Sequence, residues 1–402
     1  MLSSLALIFL VGLTGASLCQ RIRLPRIIGM LAAGILLGPF VLNVLDSSIL
    51  GISSELRKMA LVIILIKAGL SLNIRDLKEV GRPALLMSFL PAIFEILACV
   101  LLAPKFLDVT LPEAALMGAV LGAVSPAVVV PKMVQLMETG YGTNKGIPQL
   151  ILAGASLDDV FVIVLFSTFM SMAQGGGVSA MDFAGIPISI VLGIAGGALT
   201  GFLLALFFEA RQEKDQRVPN SMKVILVLGI SFLLTSLETR LEGTLPFSGL
   251  LAVMSMACVL QQKSETFVTR RLAEKFGSLW MAAEVILFVL VGAAVDIRYT
   301  FDAGPGVILL IFAALALRCA GVLLCLSGTR LNKKERLFCV FAYLPKATVQ
   351  AAIGSIPLAN GLPCGNLALS VAVLSILLTA PLGAFAMDIS YKRLLTRREP
   401  LR

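Results

Sequence analysis

Apolar runs of about 17 residues or more, enough to cross a bilayer, alternate along the chain with short breaks rich in charge, glycine and proline. They predict spans at 2–19, 25–44, 59–72, 83–103, 113–137, 147–173, 185–208, 221–237, 244–260, 277–295, 305–327, 335–357 and 364–387. The third, 14 residues, falls short of that length. The first begins without a basic residue and ends without a small-x-small cleavage site, so it reads as a mature helix and not as a signal peptide. At about 20 residues each, thirteen spans use about 260 residues and leave about 140 for connections and ends. No separate soluble domain fits that remainder, and 1–402 reads as one membrane domain.

Composition agrees. Hydrophobic residues make up 58% of the chain and charged residues 14%, with a mean hydropathy of +0.96, which excludes a soluble fold. A net charge of +9 can signal nucleic acid, but here the basic residues occupy short connections: 24 follow odd-numbered spans, counting Arg26, Lys223 and Arg336 at the very start of the next span, and 5 follow even-numbered ones. This positive-inside asymmetry predicts an external N-terminus and a cytoplasmic C-terminus, and the short loops suggest a bacterial inner membrane. Seven scattered cysteines form no C-x-x-C pair, so metal and redox readings are poor. With no histidine in the chain, proton handling falls to carboxylates or lysines.

An internal repeat is visible. KAGLSLNIRDL (67–77) and VGAAVDIRYTF (291–301) align Ile74-Arg75 with Ile297-Arg298, and at nearly the same offset Gly29 falls on Gly249 and Pro126 near Pro345. The shift is seven spans. Because seven is odd, the halves cross the membrane in opposite senses, the inverted-repeat design of secondary transporters. The repeats are 2–173 and 221–387, with 185–208 as the linking helix.

Span five carries SPAVVVP (125–131) and span twelve YLPKATVQ (343–350). Proline removes a backbone donor and clashes with the preceding turn, so Ser125, Pro126, Pro131 and Pro345 mark helices expected to unwind and free carbonyls at mid-membrane. A plain kink is the bland alternative; two breaks at repeat-equivalent positions favour an ion site. GASLDDVF (154–161) puts Asp158 and Asp159 in the middle of span six, where a carboxylate costs about 2.5–3.5 kcal/mol on insertion scales. Neighbours on a helix project about 100° apart, so one can face an ion while the other faces a fixed cation. Glu95 and Arg318 are also mid-span, and Arg318 needs an acidic partner, for which either Glu95 or Asp158 can serve. Lys346 sits at the second break, placed to offset negative half-helix ends. Lys67 and Lys132 read as snorkelling side chains, and Glu284 as an interfacial residue without a transport role.

The SPAVVVP break, the GASLDD pair and LPKATVQAAIG (344–354) resemble the cation:proton antiporter superfamily, within it the NHA branch of sodium/proton antiporters, from span two to span thirteen. The resemblance implies an all-α, NhaA-like fold in a lipid bilayer, without nucleic acid or organic cofactor. It further implies a homodimer with a scaffold of spans one to three and eight to ten, and a moving core of spans four to six and eleven to thirteen. Asp158 and Asp159 match the family pair, the second being the main carrier of cation and proton, and Arg318 stands where several relatives have lysine. For the transported Na⁺ or Li⁺, hard oxygen ligands are nominated: both aspartates and the backbone oxygens of Val129, Val130 and Ala155. If Glu95 holds Arg318, both aspartates cycle and two protons exchange for one cation, the electrogenic case expected here; if Arg318 locks Asp158, only Asp159 cycles and exchange is electroneutral. The competing readings are a potassium/proton antiporter or efflux protein of the same superfamily and a sodium-coupled organic-anion symporter. An intramembrane aspartyl protease needs its two aspartates on separate helices.

Overall fold

The computed structural model describes residues 1–22, 24–71, 81–175, 180–213, 218–241, 245, 247–296 and 304–397. Among these the chain is helical apart from connections and a single extended bridge between Tyr141 and Arg397. The helices are α1 (Leu2–Arg21), α2 (Arg26–Leu37), α3 (Ser47–Gly51), α4 (Ser53–Ser71), α5 (Arg82–Met87), α6 (Leu90–Phe106), α7 (Leu111–Gly122), α8 (Pro126–Thr139), α9 (Ile147–Ala173), α10 (Ala180–Glu213), α11 (Asn220–Leu241), α12 (Gly249–Lys263), α13 (Thr266–Ala293), α14 (Gly304–Cys325), α15 (Lys333–Ala342), α16 (Thr348–Ile353), α17 (Ile356–Ala359) and α18 (Gly365–Leu394). Seven helical stretches among the described residues are long and apolar enough to cross a membrane; α2, α7 and others are apolar but shorter.

Several boundaries move from their predicted places, each for a local reason. The second span stops at Leu37, because Gly38 is extended and Pro39 follows it. The third starts at Ser53, well before its apolar run. The tenth starts at Thr266: Val268, Leu272, Phe276 and Trp280 recur every fourth residue and are buried, while Arg270, Arg271 and Glu274 stay exposed. That amphipathic start is invisible to a search for continuous apolarity. The fourth is interrupted at Ser88 and Phe89 ahead of Pro91. The Ile74-Arg75 and Ile297-Arg298 match lies outside the described residues.

Contacts divide the chain into two compact units. One comprises Met1–Ser54, Ile74–Gly176 and Leu287–Arg402, the other Glu55–Asn73 and Gly177–Ile286. Helices α1 and α2, which the resemblance grouped with the scaffold, thus belong to the same unit as spans four to six and eleven to thirteen. In this first unit α6 packs between α7 and α14. A β-carbon on Gly118 would lie 2.8 Å from Ile96 Cα, and one on Gly321 would lie 3.0 Å from Pro91 Cα. Only glycine allows such close axes, and the result places Glu95 of α6 between the end of α7 and Arg318 of α14.

The basic connections after spans five, eleven and thirteen share one end of this unit. Lys145 Nζ reaches Glu335 at 2.8 Å and the Arg330 carbonyl at 3.3 Å; Gly142 N donates to Thr396 O at 2.8 Å; and the Tyr141 and Tyr391 rings meet edge-on at 5.1 Å. Their clustering is what alternating crossings require. At the same end Lys132 is buried and not snorkelling: its ammonium pairs with Asp388 at 2.5 Å and lies 4.0 Å above the Tyr391 ring, because α18 passes over it.

Candidate functional site

Both predicted breaks occur, and they touch. Helix α7 ends at Gly122; Ala123 and Ser125 are extended, and α8 begins at Pro126. The unwinding precedes Pro126, since the residue before a proline is driven out of the helical region, and Pro126 then occupies the tolerated first helical position. Pro131 does not break the chain again: it lies inside α8, where its missing N–H removes one helical bond. The second break runs from Tyr343 to Ala347, between α15 and α16, and contains Pro345. Ser125 N donates to Pro345 O at 2.8 Å, joining one unwound segment to the other.

Arg318 reaches into this crossing from α14 and is almost wholly buried. Its Nη1 donates to Glu95 Oε2 at 2.7 Å and to the Gly122 carbonyl, its Nη2 to Asp158 Oδ2 at 2.9 Å, and its Nε to Tyr343 O at 2.9 Å. The sequence left Glu95 and Asp158 as alternative partners; the guanidinium fork takes both. Lys346 Nζ donates to the same Glu95 oxygen at 2.6 Å and to Leu121 O at 2.5 Å. It thus meets a carbonyl at the C-terminal end of α7, where a cation is favourable. Asp158 Oδ2 accepts in addition from Val124 N at 2.8 Å.

Asp159 differs from its neighbour. It is buried to all but 8% of its surface and makes no ion pair with Arg318 or Lys346; Oδ1 of each aspartate lacks a hydrogen-bond partner, so the difference lies in the bonds that Asp158 Oδ2 receives. Three buried carboxylates, Glu95, Asp158 and Asp159, therefore share two buried cations, Arg318 and Lys346. The excess carboxylate is Asp159, and the cluster is neutral when that group holds a proton or a monovalent cation.

The nominated backbone ligands stand elsewhere than at the unwound carbonyls. Val129 and Val130 lie in α8, a turn past the break, and Ala155 lies in α9, so all three carbonyls belong to helical turns. The carbonyls freed at the end of α7 are those of Leu121, Gly122 and Ala123, and protein donors occupy them: Lys346 and Gln350 on Leu121, Arg318 on Gly122, Gln350 on Ala123. Sequence reasoning missed Gln350, Tyr343 and Thr379, whose Oγ1 accepts from Lys346 N at 2.9 Å. A polar amide inside the apolar stretch after Pro345 was the available signal for the first.

Comparison with known proteins gives one family. A model described as sodium/hydrogen exchanger, transmembrane, matches residues 5–388. Human sodium/hydrogen exchanger 9B2 is 34% identical over 414 residues, covering 99% of this chain and 76% of its own length. Human sodium/hydrogen exchanger 9B1 is 31% identical over 417 residues, with 98% and 78% covered. The solved sodium proton antiporter MjNhaP1 from Methanocaldococcus jannaschii superposes with a TM-score of 0.83 at 21% identity, over 98% of each chain, a likeness of fold. The multi-pass membrane architecture follows from these matches. Human relatives lend no support to the bacterial inner membrane suggested above.

Proposed function

The chain belongs to the sodium/hydrogen exchanger family, and from that premise we propose that it exchanges protons for Na⁺ or Li⁺ at Asp159, one for one. The observation that carries this is the inequality of the two aspartates. Asp158 is held by Arg318 and by Val124 N–H, whereas Asp159 alone lacks a cation in a cluster one positive charge short. Arginine does not discharge, so Asp158 stays ionised and structural. Asp159 either carries a proton or gives it up to the aqueous side it faces and takes a cation in its place. Both loaded forms are neutral, and both can cross.

This reading replaces the two-proton, electrogenic scheme. That scheme required Glu95 to hold Arg318 alone, but Glu95 is shared with Lys346 while Arg318 reaches Asp158. The inverted repeat remains part of the proposal. In support, Gly29 of α2 packs on Gly15 of α1, and its mate Gly249 of α12 packs on Leu234 of α11, so each touches the preceding helix. A homodimer, a core moving against a scaffold, and a cytoplasmic basic end are proposed with it.

Asp159→Asn keeps the volume but can neither release a proton nor neutralise a cation. In proteoliposomes carrying a pH-sensitive dye it is expected to abolish sodium- and lithium-driven proton movement while remaining folded. Retention of more than a tenth of wild-type exchange would remove Asp159 from the role. Potassium run in parallel tests the potassium-antiporter reading.

A further inference from the structure

Gln350 is fully buried at the crossing, and each part of its amide is engaged. Its Oε1 accepts from Ala347 N at 2.8 Å, and its Nε2 donates to Ala123 O at 2.8 Å and to Leu121 O at 3.3 Å. The orientation is fixed by chemistry: only the oxygen can accept from an N–H, and only the nitrogen can serve two carbonyls.

The Ala123 carbonyl belongs to the peptide unit whose N–H is that of Val124. That N–H donates to Asp158 Oδ2 at 2.8 Å. A peptide is planar, so fixing its oxygen fixes the direction of its hydrogen. Hydrogen bonds in series also polarise one another. We propose that Gln350 is a positioning residue for the exchange reaction: through the 123–124 peptide it aims an N–H at Asp158 and so sets that carboxylate relative to Asp159.

Apart from the burial of Val124 in the core and the Ser125 N–H bond to Pro345 O, little else holds the peptide. Ala123 and Ser125 are extended, outside any helical ladder, and Ala123 itself is a small buried side chain. Arg318 reaches the carbonyl one residue earlier, and Lys346 the one before that. Gln350 is therefore the side chain on the peptide that contacts Asp158. Its hold on Ala347 N ties the same amide to the second break, so a shift in either unwound segment is transmitted to Asp158.

This inference rests on the proposed exchange at Asp159, and its test separates the two. Gln350→Met keeps volume and removes all three bonds; Gln350→Asn keeps an amide on an arm one methylene too short to reach both Ala347 N and Ala123 O. Each is reconstituted beside the wild type, and initial exchange rates are measured against sodium concentration, normalised to folded protein. A strut that only holds the fold would lower the yield of active transporter without changing the half-saturating sodium of the survivors. A positioning residue shifts half-saturation. The expected rise is about threefold to tenfold, the worth of one hydrogen bond, with the maximal rate per folded molecule changed less. Wild-type half-saturation in either folded variant overturns the proposal, as does failure to recover either variant folded, which would make Gln350 a strut. If the wild type itself moves no protons with sodium, the proposed function fails first and takes this inference with it.

Discussion

Replacing Glu95 by glutamine should be among the most damaging single changes in the molecule. Glu95 Oε2 accepts from Arg318 at 2.7 Å and Lys346 at 2.6 Å, and all three side chains are about 1% exposed or less. Glutamine fills the space but cancels the charge. Arg318 then retains Asp158 and two carbonyls, whereas Lys346 keeps the Leu121 carbonyl but loses its paired carboxylate and becomes the uncompensated charge. Breaking a buried pair in this way costs about 3–5 kcal/mol. A unit pair about 4 Å apart at an effective dielectric of about 20 gives a consistent figure of about 4 kcal/mol. If the loss comes from stranding Lys346, removing that cation should return part of it. Lys346→Met in the Glu95→Gln background is therefore expected to be more stable than the sum of the two single changes by about 1–3 kcal/mol. The assay is thermal unfolding of the four purified proteins in one detergent. Strict additivity would show that Glu95 and Lys346 do not act as a pair, and the charge count at the site would need another partner.

Other outcomes follow from the same contacts. Arg318→Lys replaces a fork that spans Glu95, Asp158 and two carbonyls by a point charge that can discharge; it should free Asp158 and add a net current to the exchange, detected on a solid-supported membrane. A methyl group on Gly154 would collide with the Tyr343 hydroxyl, so Gly154→Ala should displace Tyr343, loosen its carbonyl from Arg318 and lower exchange severalfold, whereas Gly154→Ala combined with Tyr343→Phe should regain part of the rate. Asp388→Asn leaves Lys132, which is 8% exposed, without its carboxylate and with the Gln135 amide oxygen and the Tyr391 ring in its place, and should lower thermal stability more than Lys132→Met does.

Much of the site was legible because charge stands out in apolar sequence. Glu95, Asp158, Asp159, Arg318 and Lys346 each interrupt a hydrophobic run, and the structure gathers all five at one crossing. What was not legible was the pairing. Arg318 has two acids within reach, and sequence spacing does not say that it takes both, because that depends on the glycine-mediated approach of α7 and α14 to α6. Proline chemistry located the first break to within a few residues but credited Pro131 with unwinding that the constraint on Ser125 already accomplishes. The nominated carbonyls of Val129 and Val130 carry the same displacement of one turn. Gln350 was passed over because an uncharged amide in an apolar stretch is a weaker signal than a charge, and the Val124 N–H was beyond reach because a backbone N–H has no sequence signature at all. Among the helices, the start of α13 was missed because an amphipathic turn buries one face only, and Lys132 because burial by α18 is a tertiary contact.

The central claim is that one carboxylate cycles and the other is fixed. Capacitive current and proton flux, recorded in parallel from the same reconstituted wild-type protein after a sodium step at matched pH, test it most directly. The account predicts clear proton movement with no net current. A current carrying one charge per cation exchanged would mean that Asp158 cycles with Asp159, and would contradict the lock that Arg318 is held to impose.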